Sequence, residues 1–249
     1  VIILTPGKVG SSSVYYTLKK KLNKNYVFHI HYLSKQGIEK SNNSHLKSDR
    51  KSLPLHLLIS KILYKKLMKY DGQLNIITLI REPISREISG FFQNIDFHKN
   101  DLEGKNLLIN DFETLKKINK ILPNSQKSIT NWIKTELLNN FEIDIYSSNY
   151  PKEIGFKIFK KEQFNLLLTR MEDLDSSFKS STKVFFKLDK GIELENYNVG
   201  NNKYYSKTYK QLKNKININD DALNSIIKSQ YVQHFYGDYT DEITKKYSN

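Results

Sequence analysis

The chain has 249 residues, no cysteine and a formal net charge of +14 at pH 7. Its length suits one large domain or two small ones. The missing thiols exclude a disulfide framework, a thiolate zinc site and a cysteine nucleophile, and favour a reducing compartment. The positive charge favours polyanionic ligands, although many of the lysines read equally well as a solvated face; no arginine-rich block or recognised motif points to nucleic acid.

Ile2–Leu4 reads as a short apolar strand, and Val1 opens inside it, so residues upstream are expected. The strand breaks at Pro6-Gly7, passes Lys8, Val9, Gly10, Ser11, Ser12 and Ser13, and enters a helix over Ser12–Leu22. Val27–Leu33 is the second predicted strand, followed by a polar surface excursion at Ser34–Pro54. Leu55–Tyr70 reads as a helix. Lys61, Lys65 and Lys66 interrupt its apolar run, so no membrane span is expected, only a possible peripheral association. No signal peptide is recognisable.

Asn75–Ile80 has the continuous apolar character of a buried parallel strand and runs into Arg81-Glu82-Pro83 and a helix over Ile84–Phe92. Lys99–Asn110 is a second polar excursion. Helices over Phe112–Ile121 and Ile129–Asn139 precede strands at Gly155–Phe159 and Asn165–Leu168. Asn196–Tyr209 is a long loop able to close over a ligand, and Asp221–Phe235 is the last predicted helix. Strands alternating with helices predict an α/β fold, a central parallel sheet flanked by helices, in a single domain spanning residues 1–249. Ligands of such a sheet sit beyond the C-terminal strand ends.

Two segments at such ends carry chemistry. Strand, glycine-containing loop and helix form an anion cradle. Backbone N–H groups at the helix start lack partners, the helix dipole adds positive character, and Lys8 adds a full charge. Lys8 precedes Gly10, and no lysine follows before Lys19, unlike the nucleotide-hydrolysing order G-x-x-x-x-G-K-[ST]. In the second segment Arg81 suits bidentate phosphate recognition, and Ser89 lies about two helical turns further on.

Proton transfer has its own candidates. His29 and His31 fall on one side of the second strand, with His31 nearer the C-terminal end. An imidazole accepts a proton near neutral pH, though a strand histidine is as readily a core residue. Glu39, Glu82 and Glu172 compete for the role of base. His45, His56, His98 and His234 lack metal-ligand spacing, so no metal site is expected.

The order Pro-x-Lys-x-Gly-Ser-Ser-Ser resembles the 5′-phosphosulfate loop of sulfotransferases that use 3′-phosphoadenosine 5′-phosphosulfate (PAPS). Arg81 to Ser89 resembles their 3′-phosphate motif, Arg-[Asp/Glu]-Pro-x-x-Arg-x-x-Ser. Asn202-Lys203-Tyr204-Tyr205-Ser206 is similar to the Asn-Lys-Trp-Tyr-Ser signature of a bacterial group of capsular polysaccharide synthesis proteins, with Tyr204 in place of Trp. The stretches around Trp132–Tyr146, Gly155–Phe159 and Leu168–Leu174 resemble the middle of carbohydrate sulfotransferases.

This resemblance implies a P-loop nucleotide-kinase-like sulfotransferase fold and a bacterial cytoplasmic enzyme. It implies PAPS as sulfuryl donor, 3′,5′-adenosine bisphosphate (PAP) as product, and a glycan or polysaccharide hydroxyl as acceptor in capsule or surface-glycan synthesis. Lys8 and His31 take the catalytic roles. Val9, Gly10, Ser11, Ser12, Ser13, Arg81, Ser89, Lys203 and Tyr204, together with Lys8, bind the nucleotide, and Arg86 is a structural or secondary contact. Two other readings stay open on the residues alone. One is a small-molecule kinase with an altered phosphate loop, which needs an acidic magnesium ligand where the strand ends in Arg81. The other is a non-catalytic module that binds polyanions through its lysines.

Overall fold

The computed structural model describes residues 1–22, 26–46, 53–67, 69–93, 111–195, 197, 206–213 and 215–248. It divides into two compact units: Val1–Arg81 with Thr130–Tyr197, and Glu82–Ile129 with Asn198–Asn249.

The first unit is built on one five-stranded sheet. Its strands are β1 (Ile2–Leu4), β2 (Phe28–Ile30), β3 (Leu74–Ile80), β4 (Phe156–Lys161) and β5 (Phe164–Arg170), in the order β2-β1-β3-β5-β4. β2, β1, β3 and β5 are mutually parallel, and β4 is antiparallel to β5. The sheet is therefore mixed, which corrects the all-parallel expectation. Only Glu162 and Gln163 separate β4 from β5, too short a connection for a parallel crossover, and Glu162 takes the left-handed φ of 48° that such a hairpin turn requires.

In chain order, α1 (Ser11–Lys21), α2 (Lys35–Leu46) and α3 (Leu55–Leu67) belong to this unit. α2 falls where a polar excursion was expected: among its described side chains only Gly37 and Ile38 are buried, so its apolar period is faint. α4 (Pro83–Gln93), α5 (Asp111–Ile121) and the start of α6 (Ser125–Ile133) belong to the second unit. The end of α6, a π-helical turn at Lys134–Leu138 and the closing turn Asn139–Phe141 return to the first.

α7 (Leu174–Phe186) completes the first unit. Its serines and threonines disguise it in sequence. Here Ser180, Ser181 and Thr182 donate back to carbonyls three or four residues earlier, which lets polar residues sit inside a helix. One face of the sheet is sealed by Val14 and Leu18 of α1 and by Leu174, Phe178 and Phe185 of α7, against Ile3, Ile77, Leu79 and Leu167. Alternate strand residues, among them Ile2, Leu4, Ile76, Ile80 and Leu166, are buried on the other face.

The second unit has only helical secondary structure among its described residues. After α4, α5 and the first turns of α6 come α8 (Ser206–Lys213), α9 (Asp220–Ile227), α10 (Gln230–Tyr236) and α11 (Thr240–Tyr247). The expected loop over Asn196–Tyr209 is helical from Ser206 onward, and residues 196 and 198–205 lie outside the described residues. The single helix expected over Asp221–Phe235 is broken at Ser229, whose hydroxyl caps α10 by accepting from Val232 N–H. Ile84, Ile88, Phe92, Ile118, Leu122, Leu223, Phe235 and Tyr247 are fully or almost fully buried here.

Candidate functional site

Three chemistry-bearing positions follow the C-terminal ends of three adjacent parallel strands of the first unit. The Lys8 loop follows β1, His31 follows β2 and Arg81 follows β3. The chain leaves β1 for β2 on one side and β3 on the other, so this rim is the topological switch point where α/β sheets bind ligands.

The loop is shaped by backbone sign. Gly7, Lys8 and Gly10 all have left-handed φ values, 79°, 63° and 77°. Two of them are glycines, which adopt that region freely; Lys8 does so at a cost of about 1–2 kcal/mol, the kind of local strain that collects at functional sites. Backbone that changes sign in this way can aim successive N–H groups to one side, the arrangement of an anion-binding nest. Gly10 caps α1 with no side-chain cap, and no acidic residue occupies the first turn. The N–H groups of Gly10, Ser11 and Ser12 have no intrahelical acceptor, and no other backbone acceptor for them occurs among the described residues. Gly10 lies against Met171 and Leu174, the start of α7.

The side chains of the loop are used unevenly. Val9 is wholly buried in the core, so only its backbone can face a ligand. Ser11 is buried and its hydroxyl pairs with His29 Nε2 at 2.9 Å. Ser13 Oγ donates to the Tyr197 carbonyl at 3.0 Å and accepts from Tyr197 N–H at 3.1 Å. Thr17 holds Glu195 in the same two-way fashion, so residues 195 and 197 are tied to α1. The Ser13 hydroxyl thus already donates its proton to a carbonyl, and the Ser11 hydroxyl already has a partner in His29.

Arg81 reaches this loop directly, its Nη1 donating to the Lys8 carbonyl at 3.1 Å. Arg81 is therefore a neighbour of the Lys8 loop. Glu82, the next residue, is buried in the second unit and caps α4, accepting from Ile84 N–H at 2.6 Å and Ser85 N–H at 2.8 Å. The α4 start is thus already capped by a carboxylate, and both Glu82 oxygens are engaged there, which argues against Glu82 as a base. Arg86 is buried and donates to Glu87 and Ser128. Ser89 sits half-exposed in α4 of that unit. Lys203 and Tyr204 lie outside the described residues.

His31 Nδ1 lies 2.9 Å from the Thr5 carbonyl. A carbonyl only accepts, so Nδ1 carries the proton and Nε2 holds the lone pair, the tautomer a general base requires. Burial lowers the pKa of His31, the Thr5 bond opposes this, and the nearby Lys8 charge lowers it further. Burial also depresses His29, to about 4, with smaller contributions from His31 and His56. The rings of His29 and His31 meet at 5.3 Å, and those of His31 and His56 at 5.0 Å. No cluster of metal-ligating side chains occurs among the described residues.

Sequence reasoning missed the group that holds His31. The Trp132 indole donates to the His31 carbonyl at 2.7 Å. One turn later, Glu136 is fully buried and accepts from Leu33 N–H, Ser34 N–H and Ser34 Oγ at 2.7, 2.8 and 2.6 Å. Burial raises its carboxyl pKa and the three bonds oppose that rise. Glu136 lies in the π-helical turn, a distortion that often marks functional positions. A Cβ on Gly37 would run into its carboxylate, which explains that glycine. The signal was a lone acidic residue in the apolar run around Ile133, Leu137 and Leu138, beside the chain's single tryptophan.

Fold and rim define a mixed α/β protein with a basic, backbone-built anion cradle beside a neutral histidine. A family model described as "Putative capsular polysaccharide synthesis protein", and designated NKWYS, matches residues 106–237, just over half of the chain. The chain belongs to this family. The matched stretch contains Trp132, Glu136 and the Asn202–Ser206 segment, and begins after the Lys8 loop, His31 and Arg81. No curated protein and no solved structure matches the chain.

Proposed function

We propose that the protein is a sulfotransferase that moves a sulfuryl group from PAPS to a hydroxyl of a glycan in capsule or surface-polysaccharide synthesis. The observation that carries the reading is the Arg81–Lys8 hydrogen bond, which joins the two expected anion-binding motifs at the end of adjacent parallel strands. The capsular family supports a carbohydrate acceptor. The donor fits the residues present, because the N–H groups at the α1 start lack a backbone acceptor among the described residues, and Lys8 and Arg81 follow the ends of adjacent parallel strands, within one hydrogen bond of each other.

Bound there, PAPS supplies an activated sulfuryl group whose leaving oxygen belongs to the 5′-phosphate. Backbone N–H groups of Gly10, Ser11 and Ser12 hold anionic oxygens, and Lys8 stabilises charge developing on the leaving oxygen. Arg81 takes the 3′-phosphate. His31 Nε2 accepts the proton of the acceptor hydroxyl, while the Thr5 carbonyl keeps the opposite nitrogen protonated. Trp132 and Glu136 hold the backbone that carries His31. Positioning and electrostatics provide the rate in this scheme.

The first test is a thermal-shift comparison of PAP, AMP and ATP with magnesium, followed by transfer of label from PAPS to a glycan panel. PAP is expected to stabilise the protein most, and Arg81→Ala to remove its advantage over AMP. A preference for ATP with magnesium, or equal shifts from all three, rejects the reading.

A further inference from the structure

We propose that the outward face of α3 is a docking surface for an anionic membrane. Leu55, Leu58 and Ile62 are 71%, 42% and 56% exposed. At spacings of three and four residues they form one stripe along the helix, about 10 Å long. Lys65 and Lys66 are exposed and border this stripe on its two sides, and exposed Lys69 follows the helix. α3 contains no acidic residue. Its opposite face is occupied: Leu57, Ser60 and Leu63 are buried, and α3 packs on β2 and α2.

An aliphatic ridge flanked by lysines is the pattern of a helix lying in the plane of a membrane interface, its apolar residues entering the acyl boundary while the ammonium groups snorkel to headgroups. The lysines also choose among occupants. A second copy of this face would bring further lysines and no carboxylate to the interface, whereas an anionic lipid surface complements the charges. The ridge is aliphatic throughout, made of leucine and isoleucine. No helix among the described residues is long and apolar enough to cross a membrane, so attachment through α3 is peripheral. The inner side of the same helix carries His56, whose ring meets His31, so docking brings the candidate site to the membrane edge.

The test is co-sedimentation of the whole chain with phosphatidylcholine vesicles, and with vesicles that also contain phosphatidylglycerol, at low and high salt. Three variants accompany the wild type: Leu58→Ser with Ile62→Ser, Lys65→Glu with Lys66→Glu, and Lys183→Glu with Lys190→Glu as an exposed control of equal charge. Melting curves confirm that each is folded. The wild type is expected to sediment with the anionic vesicles, less so at high salt. Binding should fall roughly five-fold or more per lysine reversed on α3, by a comparable total in the serine pair, and far less in the control. The proposal is overturned if the wild type stays in the supernatant, or if the α3 variants bind as it does. Equal loss in the control overturns it too, as does a wild-type dimer that the serine pair dissolves.

Discussion

Two helices of this protein start just after parallel strands of one sheet, and their first turns are opposites. α1 follows β1 through Gly10, carries no capping side chain, and its leading N–H groups have no backbone acceptor among the described residues. α4 follows β3 through Glu82, whose carboxylate already satisfies Ile84 and Ser85. Both are preceded by a basic residue in the chain, and both look like phosphate sites in sequence. The contrast teaches that a strand-end cation does not by itself mark a candidate anion site: the backbone donors beside it must also be unspent. Arg81 escapes the closed start by leaning back to the open one, on the Lys8 carbonyl.

The sharpest way to break this contrast is at the open end. Lys8→Ala is expected to lower turnover with PAPS by roughly 10²–10³, about 3 kcal/mol of barrier, while PAP affinity changes little. Equal turnover in that variant would take the charge out of the chemistry. Acid offers a second handle on the same end, because Ser11 is held by His29.

His29 has a folded pKa of about 4 against an ordinary 6.5, so the unfolded chain binds the extra proton first as pH falls. Stability is therefore full above pH 6.5 and is lost progressively down to about pH 4, by about 3 kcal/mol for this group. The lowered His31 acts in the same direction. Melting temperatures across that window should fall steeply for the wild type and more gently for His29→Gln; parallel curves would locate the loss elsewhere.

Glu136→Gln probes the support behind the rim. An amide nitrogen facing N–H donors should cost about 1–3 kcal/mol in chemical denaturation and lower kcat more than it alters PAP affinity. Restoration by Glu136→Asp of the denaturation midpoint but not kcat would show that placement of His31, and not folding alone, depends on this carboxylate. The smallest effect belongs to the closed start. Glu82→Ala is expected to cost about 1–2 kcal/mol of stability as a lost cap. Loss of PAPS turnover as large as for Lys8→Ala would mean the α4 start is a working site after all.

Much of the rim is legible in the amino-acid order, and specific residues show why. Ile2–Leu4 and Asn75–Ile80 are strands within a residue of their predicted bounds, since short apolar runs ending at Gly, Pro or Arg leave few alternatives. Pro83 at the first turn of α4 announces that helix. α2 and α7 are illegible because their polar residues satisfy each other locally or face solvent, which blurs the apolar period. The reversal of β4 is in principle accessible, because a two-residue connection permits nothing else.

Chain-local chemistry thus settles where strands end, where N–H groups are left over and which loop carries the lysine, because glycine, proline and strand periodicity act on immediate neighbours. Packing alone decides which of those groups remain available. Ser11 meets His29, Ser13 meets Tyr197, and Glu136 reaches back some hundred residues to Ser34. Partners that far apart in the chain come together only when burial of the sheet faces has drawn the segments in, and no local pattern encodes which hydroxyl will then be spent.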